Sequence, residues 1–151
     1  MPGFFALGEF SPRLEQISNR YDIVIIMSEF NFHKNSAIKP PPQLLPLLQN
    51  AKAAYLVWYE YYQTIPKTHR HSLGQRIDGL FIEIIEALAT ASFLSRQDKL
   101  PYVRLAIRKV DTLKILLMIL WETKSLDNKK YIALSEKVDE IGKMVGGWHG
   151  Q

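Results

Sequence analysis

Cysteine is absent from this 151-residue chain. Disulfides, thiol nucleophiles and cysteine-bound zinc or iron–sulfur centres are therefore excluded, and the chain suits a reducing compartment. Long apolar runs are missing as well. Residues 23–27 are too few to cross a bilayer, and the most apolar stretch, 115–121, is short and lies between Lys114 and Lys124. The N-terminus has no basic segment followed by a long apolar one, so no secretion signal is read. The expected location is the cytoplasm, with no membrane partner.

Motifs that carry chemistry are lacking too. There is no G-x-x-x-x-G-K-[ST] phosphate loop, no G-x-G-x-x-G and no G-x-S-x-G. A di-iron helical bundle needs inward-facing Glu-x-x-His pairs. Glu83 and Glu86 stand three apart, but no histidine lies at the matching offset. His69 and His71 are two apart, a poor spacing for one helical face, and no nearby carboxylate completes a metal set. All four histidines (His33, His69, His71, His149) fall in predicted loops or tails. Catalysis needs a positioned acid, base or nucleophile, and none is predicted. The expectation is a protein that is not an enzyme, with no catalytic residues, no cofactor and no metal.

What the chain does contain is helical periodicity, beginning after Pro40-Pro41-Pro42. Leu44, Leu48, Ala51, Tyr55, Trp58 and Tyr62 alternate steps of four and three and so share one face of a first helix. Pro66 is read as its stop. Ser72, with Gln75 three residues on, is read as the cap of a second helix whose stripe is Leu73, Ile77, Leu80, Phe81, Ile84, Ile85, Leu88 and Ala91. Ser95 can cap a third, with Val103, Ile107, Val110, Leu113, Leu117, Leu120 and Trp121 inside. Asp127 opens a fourth with Tyr131, Leu134, Val138, Ile141 and Val145, and Gly146-Gly147 is read as its end. Short connections predict an all-α, antiparallel up-down-up-down four-helix bundle over residues 43–151.

Residues 1–42 show no such period. Gly, Pro, Ser and Asn recur, and one strand-like run (21–27) has no obvious partner. The segment reads as a poorly ordered extension or an artefact of start-codon choice before Met27, with an arm that docks on a partner as the alternative.

Two features reach beyond the fold. Ile115, Met118 and Ile119 are apolar but lie off the main stripe of the third helix. Either neighbouring helices wrap this helix more fully than usual, or these residues form a subunit interface. The second feature is charge. The chain carries a net +4, with a pI of about 9.3. Residues 1–42 sum to zero, with Arg13, Arg20, Lys34 and Lys39 against Glu9, Glu15, Asp22 and Glu29. The whole excess therefore lies in the bundle.

The basic residues concentrate in two places. Lys67 and Arg70 stand beside the predicted start of the second helix, where backbone N–H groups and side-chain cations suit phosphate oxygens, and Arg76 follows. Arg104 and Arg108 share a face of the third helix, with Lys109 beside them. On composition alone a solvated face is the preferred reading of such charges. Arg76 in particular can pair with Asp78 or another carboxylate. In the tyrosine-rich segment 55–62, Tyr59 and Tyr61 are the rings expected outside; core packing is preferred there over base stacking.

Several ordered segments carry a family resemblance. Pro66-Lys67-x-x-Arg70-x-x-Leu73-Gly74-x-Arg76-Ile77 resembles the first inter-helix turn of the Avd-type four-helix proteins. So do Leu126-Asp127-Asn128-Lys129-Lys130-Tyr131, Leu134-Ser135-Glu136-Lys137, Asp139-Glu140-Ile141-Gly142-Lys143-Met144 and the ending Gly146-Gly147-Trp148. Avd is the accessory variability determinant of diversity-generating retroelements. Its sister group is the four-helix protein encoded by intervening sequences in bacterial 23S ribosomal RNA genes, an interaction scaffold with no reverse-transcriptase partner. The resemblance spans 44–148.

The Avd resemblance implies a homopentameric barrel of bundles with a basic exterior. It implies partnership with a reverse transcriptase, and binding of template RNA and of DNA during mutagenic cDNA synthesis. Lys67, Arg70, Arg76, Arg104, Arg108 and Lys109 are the expected nucleic-acid contacts, and Ile115, Met118 and Ile119 the expected oligomer interface.

Overall fold

Helix α1, Pro46–Tyr62, starts on a proline at its first position, where the missing N–H has no helical partner to lose. It opens the part of the chain that the computed structural model describes, residues 44–150. The readings of residues 1–42, strand-like run included, lie outside the described residues. Leu48, Ala51 and Trp58 are buried as their spacing predicts, joined by Leu47 and Ala54, while Tyr55 and Tyr62 are half-buried.

Pro66 does not stop α1. The helix ends at Tyr62, and turn bonds follow from the Thr64 N–H to the Tyr61 carbonyl (2.9 Å) and from the Ile65 N–H to the Tyr62 carbonyl (3.2 Å). Ile65 is fully buried and plugs this end of the core. Pro66 instead precedes the next helical segment, its carbonyl accepting the His69 and Arg70 N–H groups.

That segment also begins earlier than the Ser72 cap reading has it. An α-turn at Lys67–His69 runs into a π-helical turn at Arg70–Gly74 and then into α2, Gln75–Ser92. Ser72 lies inside the π turn, with its hydroxyl donating back to the Thr68 carbonyl at 3.3 Å. A hydroxyl spent on the preceding turn caps nothing. The wide turn is shaped by Tyr62, whose hydroxyl donates to the Arg70 carbonyl (3.2 Å). The Tyr62 ring also lies so close to Gly74 that a Cβ there would sit 3.2 Å from its Cε2.

Ser95 caps α3, Arg96–Glu122, as expected: its Oγ accepts the Asp98 N–H and donates to the Asp98 carboxylate at 2.6 Å. The helix closes in a Schellman motif. Lys124 adopts a left-handed φ of 62°, its N–H donates to the Trp121 carbonyl, and the Ser125 N–H donates to the Leu120 carbonyl, both at 3.0 Å. Asp127 caps α4, Asn128–His149, by accepting the Lys130 N–H at 2.9 Å. Gly146-Gly147 does not end α4. The helix continues to His149, and the last turn is held by Lys99, whose Nζ lies 4.8 Å from the Trp148 ring centroid.

Each helix packs on its neighbours in sequence, and α4 returns to α1, closing a ring of four. The contacts give the directions. Trp58 of α1 stacks on Phe81 of α2, and its Nε1 donates to Asp78 (3.2 Å). Asn50, early in α1, donates to Glu140, late in α4 (3.0 Å), while Lys130, early in α4, donates to Thr64 beyond the end of α1 (2.9 Å). Trp121 stacks on Tyr131 across the α3–α4 corner. Consecutive helices are thus antiparallel, and the described residues form an all-helical four-helix bundle with no strand. Trp58, Phe81, Leu88, Leu113, Leu120 and Leu134 are among its largest fully buried side chains. Each is worth about 1.5–3 kcal/mol of burial.

Candidate nucleic-acid interface

The antiparallel topology gathers two corners at one end of the bundle: the α1–α2 corner, residues 63–74, and the α3–α4 corner, residues 123–127. His69 and Ser125 join them, Nδ1 to Oγ at 2.6 Å, and the Lys130–Thr64 bond is a second tie. Lys67 is exposed at this end and has no side-chain partner among the described residues.

Arg70 is placed differently. Its Nε and Nη2 donate to the Ile65 carbonyl (3.0 and 2.8 Å), and Nη2 also reaches the Gln63 carbonyl (2.9 Å). The guanidinium thus closes the corner, satisfying carbonyls that a helix end leaves open. In this arrangement Nε and Nη2 point at its own backbone.

Arg76 and Lys109 meet on one carboxylate. Arg76 Nη1 lies 3.3 Å from Glu83 Oε1, and Lys109 Nζ lies 2.6 Å from Glu83 Oε2. Partial burial works to raise the Glu83 carboxyl. Lys109 first, and then Arg76, outweigh it, leaving the group below its ordinary value. The alternative of Arg76 pairing with a carboxylate is the one realised, with Glu83 in place of Asp78, because seven residues along a helix return to the same face. Asp78 instead takes the buried Trp58 indole.

Arg104 and Arg108 are exposed one turn apart on α3. Arg104 Nε donates to His149 Nε2 (3.3 Å), and the Arg108 guanidinium has no partner among the described residues. At about 1.5 Å of rise per residue, Arg104 lies about 30 Å along the bundle from Ser125. The structure therefore does not unite the two basic groups. Lys67 and Arg70 sit at one end, Arg76 and Lys109 meet midway, and Arg104 lies toward the other end.

The outward stripe of α3 changes character along its length. Arg104 and Arg108 occupy its first half, and Ile115, Met118 and Ile119 its second, at 53%, 36% and 38% exposure. Among the described residues, neighbouring helices leave these three partly exposed. Tyr59 is exposed as expected, whereas Tyr61 is half-buried beneath Lys130 (5.6 Å). Lys124 and Lys129, exposed around the second corner, were not among the predicted contacts. The usable signal is topological: in an up-down bundle the first and third connections share an end.

A family model described as bAvd-like matches residues 47–151, well over half of the chain. The chain belongs to the bAvd-like family. The match covers all four helices of this bAvd-like bundle and begins just inside α1. Comparison with curated proteins and with solved structures gives no match. Among the described residues of the bAvd-like chain, no three histidine, aspartate or glutamate side chains come together as a metal set. No helix among them is long and apolar enough to cross a membrane.

Proposed function

We propose that this bAvd-like chain is a non-catalytic accessory protein of a diversity-generating retroelement. In this reading it assembles with itself, engages the reverse transcriptase, and binds template RNA and DNA to support mutagenic cDNA synthesis in the cytoplasm. The observation that carries the reading is the family match over 47–151. Two features support it: the cations Lys67 and Arg108, which have no side-chain partner among the described residues, and the exposed apolar half of the α3 stripe. Phosphate neutralisation needs cations that neither a carboxylate nor the chain's own backbone has engaged, so Lys67, Arg104 and Arg108 carry the contacts in this proposal. Arg70, Arg76 and Lys109 shape the surface around them.

The self-association proposal is a homo-oligomer, a pentamer by family resemblance, with Ile115, Met118 and Ile119 inside its interface. Isolated apolar side chains are ordinary on a surface, but three neighbours on one stripe form a patch that association would remove from water.

The test is binding of fluorescent RNA and duplex DNA across a salt series, together with light scattering. The logarithm of affinity should fall linearly with the logarithm of salt. A Lys67→Glu, Arg104→Glu, Arg108→Glu variant that stays helical should bind at least about tenfold more weakly, since each phosphate contact contributes. The wild-type chain should scatter as an oligomer and co-purify with the reverse transcriptase, and Ile115→Ser, Met118→Ser, Ile119→Ser should lower its mass. Unchanged binding in the charge variant would overturn the contact assignment. A wild-type monomer would overturn the interface.

A further inference from the structure

We propose that the end of the bundle where the two tied corners meet is a phosphate-binding platform for a nucleic-acid strand, built from Lys67, Lys124 and Lys129. It rests on the nucleic-acid reading above and deepens it. The platform is a surface distinct from the Arg104–Arg108 face.

Loose lysines on separate loops do not make a surface, but these loops are fastened. His69 to Ser125 and Lys130 to Thr64 hold one corner against the other. Lys124 is fixed at the left-handed position of the Schellman motif, and Lys129 lies in the first turn of α4 behind the Asp127 cap. Lys67 lies two residues from His69, Lys124 adjoins Ser125, and Lys129 adjoins Lys130. All three lysines are exposed.

The tied corners are also strongly basic. Residues 63–74 and 123–130 contain five cations (Lys67, Arg70, Lys124, Lys129, Lys130) and a single carboxylate, Asp127. That excess of four equals the net charge of the entire chain. Asp127 is already engaged, with Oδ1 on the Lys130 N–H and Oδ2 3.8 Å from Lys130 Nζ. Glu60 and Glu122 flank the patch from the adjoining helix turns. Arg70 and Lys130 hold the corners and contribute field, while Lys67 and Lys129 have no side-chain partner among the described residues. Lys124 lies over the Trp121 ring, 6.0 Å from its centroid, and has no carboxylate partner among the described residues.

The Debye length is about 8 Å at physiological salt, so cations within the corners act on one polyanion together. Arg104, about 30 Å away along α3, lies several such lengths off and acts independently. A strand of nucleic acid engages either surface without the other, or spans both.

The test uses the full chain and a fluorescein-labelled single-stranded RNA in a salt titration. A Lys67→Gln, Lys124→Gln, Lys129→Gln variant should lose at least tenfold in affinity at low salt. Its salt slope should fall by about 2, because each single-strand phosphate contact contributes about 0.7. Helical circular dichroism checks its fold, and the Lys67→Gln, Lys129→Gln variant, which leaves the Schellman position untouched, must show a proportionate loss. Arg104→Gln, Arg108→Gln serves as the comparison.

Wild-type affinity and slope in both corner variants, with loss in the α3 variant, would overturn the platform and leave the nucleic-acid reading standing. No RNA or DNA binding by the wild-type chain would overturn both. Anionic phosphatidylserine vesicles that lose binding to the corner variants while RNA binding is unchanged would overturn the platform in favour of a membrane surface.

Discussion

The Arg70 guanidinium grips the carbonyl oxygen of Ile65 with two donors, Nε at 3.0 Å and Nη2 at 2.8 Å. The geometry gives Arg70 a structural role that its charge and position beside Lys67 conceal. Arg70→Lys keeps the charge but loses the planar fork, so stability should fall by about 1–2 kcal/mol. Urea denaturation measures the loss. RNA affinity per folded molecule should stay within about twofold, since 1.4 kcal/mol is a factor of ten and no phosphate contact is removed. A loss of affinity without a loss of stability would return Arg70 to the contact set.

Glu83 ties Arg76 to Lys109, and the pH dependence of that tie has a definite sign. The folded-state pKa is lowered, so the stabilisation is present above the ordinary carboxylate value of about 4.3 and is lost as pH falls through the folded value. The wild-type chain should therefore lose stability below about pH 4.3 more steeply than Glu83→Gln, with the two curves converging in acid. Because the pair is partly exposed, the difference at neutral pH should be modest, within about 1 kcal/mol. Denaturant midpoints across a pH series provide the check. Parallel curves would dismiss the ion pair as a source of stability.

Two glycines should respond to alanine in opposite directions. At Gly74 a Cβ would lie 3.2 Å from the His69 carbonyl oxygen and from Tyr62 Cε2, so Gly74→Ala should destabilise by about 1–3 kcal/mol. At Gly79, inside α2, a Cβ would meet nothing within 4 Å, and Gly79→Ala should stabilise by about 0.5–1 kcal/mol. Thermal melts of the two variants should bracket the wild type.

Lys124 holds a left-handed conformation that costs a residue with a Cβ about 1–2 kcal/mol. Glycine removes that cost but loosens the unfolded chain, so Lys124→Gly should gain about 0.5–1 kcal/mol. Chemical denaturation of Lys124→Gly and Lys124→Gln separates backbone relief from loss of the ammonium. Only the glycine variant should gain.

The amino-acid sequence by itself determined the four helices, most of their buried faces and two of their caps. Those features are local: a stripe at 3.6-residue spacing, or a Ser95 or Asp127 whose oxygen reaches an N–H three residues on, depends on few other parts of the chain. Family membership was legible for the same reason, since its segments lie in order along the bundle. Tertiary structure alone decided which charges are free. Arg70 and Lys67 look alike in sequence. The wide turn imposed by Tyr62 and Gly74 aims one at its own backbone and leaves the other in solvent. Likewise, only the antiparallel return of the chain brings Lys109 onto the Glu83 carboxylate that Arg76 reaches along its own helix, and sets residue 69 against residue 125. Partnership between charges on different helices depends on distances of a few ångströms across the bundle, and no spacing along the chain encodes those.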